Sequence, residues 1–150
     1  MKPCILISPY SKVLRNGKRN PKNYPWFPEI ISGLKDYEIF QVGRGEEPVL
    51  IGTTPLFDLD IWDLSMHIKS CKTWISVDNF FQHLAWFVDK PGIVLWGPSD
   101  PQIFGHKLNT NLLKDKKYLR ERQHDIWERQ EYNEDAFVKP EVVLEILEKR

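Results

Sequence analysis

Four short apolar runs, rich in β-forming residues, punctuate this chain: Cys4 to Ser8 (CILIS), Glu38 to Val42 (EIFQV), Thr73 to Val77 (TWISV) and Gly92 to Trp96 (GIVLW), with a weaker one at Pro48 to Ile51. Such runs suit strands buried on both faces. The segments between them have helical spacing. Trp26, Phe27, Ile30, Ile31 and Leu34 form one stripe; Leu59, Trp62, Met66 and Ile68 roughly form a second; Phe80, Phe81, Leu84, Ala85, Phe87 and Val88 form a third. Strands alternating with helices predict an α/β, three-layer Rossmann-like domain with a mainly parallel sheet covered on both sides. Pro140 can open a final helix over 139–149, whose apolar side is Val142, Val143, Leu144, Ile146 and Leu147, with Lys149 and Arg150 at its negative end. Residues 107–136 form a charged excursion with sparse apolar anchors, which reads either as an edge strand with a short helix or as a long surface segment.

At 150 residues the chain is expected to form a single domain with one core. The 21 basic and 21 acidic residues balance, which argues against a general nucleic-acid binder. Cys4 and Cys71 adjoin apolar runs without metal-ligand spacing, so free buried thiols in a reducing compartment are expected. The first apolar run is too short for a signal peptide and no segment has the length of a membrane span, hence a cytoplasmic protein is expected.

In an open parallel sheet, ligands bind beyond the carboxyl ends of the strands. The loop after the first strand, SPYSKVLRNGKRNPKNYP, holds Lys12, Arg15, Lys18, Arg19 and Lys22 and no acid, which suggests an anionic visitor. Asp78 follows a strand, and Asn79 with Gln82 has the spacing of a capping box, which would leave helix N–H groups for a phosphate. His83, four residues past Asn79, would lie on the same helical face. Equally, Asp78 could be a helix cap and His83 a packed core histidine. Gly97 to Pro101 (GPSDP) has the composition of a tight turn. Gly43-Arg44-Gly45 lacks the remainder of a dinucleotide fingerprint, although Glu46 or Glu47 could accept bonds from ribose hydroxyls or be simply solvated. His67, His106 and His124 form no metal-ligand pattern, neither cysteine has a partner for nucleophilic catalysis, and no cofactor is expected.

The stretch DNFFQHLAWFVDKPGIVLWGPSDP resembles a pattern of family 9 glycosyltransferases, the heptosyltransferases that use ADP-heptose: Asp-Ser/Thr-Gly-x-x-His-Leu-Ala, then Lys-Pro, an apolar strand and Gly-Pro-Thr-x-Pro. KNYPWFPEIISGL is similar to that family's Lys-x-Trp-Pro segment. The resemblance covers about residues 4–105 and implies the C-terminal, nucleotide-sugar-binding lobe of a two-lobed GT-B fold. It implies Lys22 near phosphate, Glu46 near ribose, and Asp78, Asn79 and His83 near diphosphate and sugar. Ser8 would close the first strand and Ser99 would stand at the family's threonine. Asn79-Phe80 replaces Ser/Thr-Gly, which narrows the backbone's approach to a phosphate. The acceptor-binding lobe has no counterpart in the resemblance. Transfer would therefore need a partner lobe or a second copy, and a homodimer is expected. A non-catalytic nucleotide-binding module and a protein-interaction domain with a closed pocket are the alternatives.

Overall fold

The computed structural model describes residues 1–149; Arg150, expected at the negative end of the last helix, lies outside the described residues. The elements follow in the order β1 (Cys4–Ser8), α1 (Phe27–Ser32), β2 (Glu38–Gly43), β3 (Thr54–Phe57), α2 (Ile61–Ser70), β4 (Thr73–Val77), α3 (Phe80–Phe87), β5 (Ile93–Trp96), α4 (Pro101–Phe104), β6 (Thr110–Leu113) and α5 (Pro140–Glu148). Six strands form one sheet in the order β3-β2-β1-β4-β5-β6, and every pairing is parallel. The chain progresses outward from β1 in one direction and then, through β4, in the other. The switch between β1 and β4 leaves a crevice at their carboxyl ends.

Alternation along the central strands divides the core into two. Ile5, Ile7, Ile75, Val77, Ile93 and Leu95 face a layer that includes α1 and α5, whereas Leu6, Trp74, Val94 and Trp96 face α2 and α3. Both sides of these strands are buried, which is why the sequence shows unbroken apolar runs there. Trp74 is fully buried and its indole N–H donates to the Lys90 carbonyl at 3.0 Å. A Cβ at Gly92 would come 2.3 Å from that ring, so the glycine permits β5 to start beside the tryptophan.

Three expectations need correction. Residues 48–51 are not a strand; the third strand is Thr54–Phe57, at the sheet edge. The buried Gln41 side chain occupies the earlier run, donating to the Pro48 carbonyl and accepting from the Leu50 N–H, both at 2.8 Å. With those groups engaged, the run is held as a loop. The helical stripes are narrower than expected: in α2 Leu64 and Ile68 point inward while Trp62 and Met66 are exposed, and in α3 Phe81, Leu84 and Ala85 are buried while Phe80 and Phe87 are exposed. The capping box is half formed: the Asn79 side-chain Oδ1 accepts from the Phe81 N–H at 2.9 Å, but the Gln82 amide donates to Asp78 instead of returning to the cap. The charged excursion contains the edge strand β6, followed by three short 3-10 turns that lead to α5.

Candidate functional site

A cleft of about 1000 Å³ opens over the carboxyl ends of β1, β2 and β4. Ser8, Lys22, Glu46, Asp78 and Asn79, all singled out in the sequence, line it together. Its cationic side is the β1–α1 loop with Lys12, Arg15 and Lys22; its opposite side carries Arg44, Glu46, Glu47 and Asp58. Burial first, opposed by a hydrogen bond from the Arg44 backbone group, raises the Glu47 carboxyl above its usual range. Asp58 has φ of 60°, and its carboxylate accepts from the Gly45 N–H at 3.2 Å, which ties the loop after β2 to the end of β3.

At the centre, Asp78 is almost wholly buried and is fully engaged. One carboxylate oxygen accepts from Gln82 at 2.9 Å and the other lies 3.3 Å from the Lys22 ammonium. The Ser11 hydroxyl donates to the Asp78 carbonyl at 2.6 Å. Asn79, which caps α3, donates its amide N–H groups to the Ser8 hydroxyl at 2.9 Å and the Tyr10 carbonyl at 3.1 Å. Asn79 therefore splices β1 to α3 across the switch point. Ser8, 7 % exposed, is held in the same splice.

Three of the five cations in this loop meet partners remote in sequence. Lys22 pairs with Asp78, Arg15 Nε lies 3.6 Å from Glu128, and the Arg19 guanidinium stacks over Tyr132 at 4.0 Å. The charged segment after β6 folds back to supply Glu128 and Tyr132 for the last two of these contacts. It brings Ile126, Trp127 and Glu128 to the cleft wall. Arg120 organises the returning loop: its guanidinium covers the Trp127 ring at 3.4 Å and donates to the carbonyls of Gln123, Asp125 and Ile126. The Lys22 ammonium lies 4.6 Å from the same indole. Trp127, Glu128, Tyr10 and Ser11 also line the cleft, and the sequence alone does not single them out for it. An aromatic next to Ile126 inside a polar stretch was the only trace of the first.

Two residues from the sequence reading lie elsewhere. Ser99 is 1 % exposed, in the turn after β5, and is not among the residues lining the cleft. His83 is exposed on the outer face of α3, where its Nδ1 meets Nε2 of His106 at 2.7 Å, and Trp86 stacks on the His106 ring. Phe80 is 59 % exposed and lines the cleft beside Asn79.

The histidine contact has a consequence for stability. Burial, and secondarily the His83 ring, hold His106 below the ordinary imidazole value. A depressed histidine pKa gives a contribution present above the unfolded value of about 6.5 and lost as pH falls toward the folded value. The melting temperature of the wild type should therefore decline more steeply below about pH 6.5 than that of His106→Gln. Parallel melting curves across that range would remove the effect.

No protein-family model and no curated protein matches the sequence. Solved structures do match. Heptosyltransferase II of E. coli, an ADP-heptose lipopolysaccharide heptosyltransferase, superposes with a TM-score of 0.70 at 17 % identity, covering 99 % of this chain and 46 % of that one. The dodecameric iron-containing heptosyltransferase TibC, in complex with ADP-D-β-D-heptose, gives 0.72 at 16 % identity over 99 % of this chain and 45 % of its own. A family 9 glycosyltransferase from Veillonella parvula gives 0.67 at 17 % identity, covering 99 % and 46 %. The chain spans less than half the length of each. It thus has the six-stranded, all-parallel Rossmann-like fold found within the family 9 heptosyltransferases.

Proposed function

We propose that this chain is a single nucleotide-sugar-binding domain of the glycosyltransferase type, whose ligand is a nucleotide-diphospho-sugar of the ADP-heptose class. The observation that carries this reading is the convergence of Ser8, Lys22, Glu46, Asp78 and Asn79 in one cleft at the β1–β4 switch point. Fold neighbours that use ADP-heptose support it. In this reading the diphosphate lies against the cationic loop, and Glu46 or Glu47 accepts from ribose hydroxyls. Lys22 and Lys12 would balance the charge that develops on a departing diphosphate. Transfer of the sugar would need an acceptor, and a base to take its proton, from a partner lobe or second copy. Binding without transfer needs the cleft alone.

The decisive measurement is calorimetric titration with ADP and ADP-heptose. Lys22→Ala should weaken ADP binding by about 1–3 kcal/mol, the loss expected for one charge-assisted hydrogen bond. Equal affinities would remove Lys22 from the site. A second reading, a protein-interaction domain with a closed site, is favoured by the internal pairing of Lys22 with Asp78 and by the Trp127 wall beside it. That reading requires that no nucleoside diphosphate or sugar nucleotide raise the melting temperature.

A further inference from the structure

The outer face of the α2–α3 layer is apolar where a helix layer facing water should be polar. The sequence of α3, FFQHLAWF, holds no residue of fixed charge, and Phe80, His83, Trp86 and Phe87 form its exposed stripe. The neighbouring helix α2 adds Trp62 and Met66, four residues apart and therefore on one side. Trp62 is 82 % exposed, Phe87 76 %, Met66 65 % and Phe80 59 %. Scaled by side-chain size, these residues and Trp86 leave roughly 700 Å² of apolar surface in water. That exceeds the ~300–600 Å² typical of the largest patch on a monomer and approaches the ~800 Å² that each partner contributes to a standard interface.

We propose that this face joins two copies of the chain, α2 and α3 of one packing on the same helices of the other about a two-fold axis. Charge identifies a second copy as the occupant. The approach to α2 and its first turn carry Asp60 and Asp63, whereas its last turn carries His67 and Lys69. A two-fold that runs the two α2 helices antiparallel sets the acidic end of each against the basic end of the other, with Trp62 and Met66 between them. An anionic membrane would meet the acidic end unmatched, as would an acidic protein, and a basic partner would meet the basic end unmatched. Of these residues Phe80 also lines the cleft, whereas Trp62, Met66, Trp86 and Phe87 do not, so the interface does not require a ligand there.

Sedimentation velocity at mid-micromolar concentration tests it. The wild type should sediment at twice the chain mass of 17.8 kDa. Trp62→Glu combined with Phe87→Glu should give a folded monomer, since both side chains are exposed, and its melting temperature should no longer depend on protein concentration as that of the dimeric wild type does. Asp63→Lys should weaken the dimer about tenfold by setting like charges together. Adding Lys69→Asp to that variant should restore it, because the swapped ends again match. A monomeric wild type overturns the proposal. So does a dimer that survives the two glutamates, or an Asp63→Lys dimer that Lys69→Asp does not rescue.

Discussion

Phe137→Ala should destabilise the protein by about 3–5 kcal/mol, the usual cost of emptying a fully buried phenylalanine site, and lower its melting temperature by on the order of 10 °C. Phe137 is wholly buried in the core beneath α1 and α5. Its ring meets Tyr24 edge-on at 5.7 Å and stacks against Tyr132 at 6.3 Å. The ring also presses on the backbone that leaves β5, where a Cβ at Gly97 would come within 2.5 Å. Neighbours fixed by strands on one side and by aromatic rings on the other have little room to collapse into the void, which places this site toward the costly end of the range. The effect should reach the cleft, because Phe137 and Tyr132 anchor the end of the segment that carries Trp127. Tyr132 donates from its hydroxyl to the Asn23 carbonyl at 2.6 Å, next to Lys22. Thermal melts of Phe137→Ala and of Ile126→Ala, whose side chain is partly exposed at the cleft wall, should differ widely. Similar melting temperatures for both variants would contradict this account of the core.

The same contrast explains what the sequence made legible. β1, β4 and β5 are buried on both faces, so their apolar runs could belong only to the middle of a covered sheet. The edge strands gave no such signal. β3 is TPLF with exposed and half-buried positions, and its proline is admissible because it lies at an edge. β6 is TNLL, half-buried throughout. In the cleft, residues that directly follow strands were legible because topology carries the ends of parallel strands to one side. The partners that hold them were not, since Asp78 meets Lys22 and Glu128 meets Arg15 only after the chain has folded. The placement of His83 shows a different limit. Counting four residues from Asn79 assumes that both lie on the helix, but Asn79 is its cap, with extended backbone at φ −154°. The face that reaches Asp78 belongs instead to Gln82, whose polar side chain is completely buried.

Asp78→Asn should cost about 3–5 kcal/mol in the ligand-free protein, the range for breaking a buried pair by removing one charge. The carboxylate is 7 % exposed and the Lys22 side chain 19 %, so loss of Asp78 leaves an ammonium with restricted access to water. The indole of Trp127 offers that ammonium only a partial substitute. The consequence for binding has the opposite sign. In the wild type, Asp78 both satisfies Lys22 and repels an approaching phosphate. In the variant, a diphosphate would become the counter-charge that Lys22 lacks, so inorganic pyrophosphate and ADP should bind more tightly to Asp78→Asn than to wild type. They should also recover a larger part of its lost melting temperature. A capping role for the Asp78 side chain predicts a different pattern: a loss of only about 0.5–2 kcal/mol and no gain in diphosphate affinity. Titration calorimetry with pyrophosphate, paired with melts of both proteins with and without it, separates the two. If Asp78→Asn is strongly destabilised but binds pyrophosphate no better than wild type, the Lys22–Asp78 pair holds the fold together and Lys22 is not offered to a ligand.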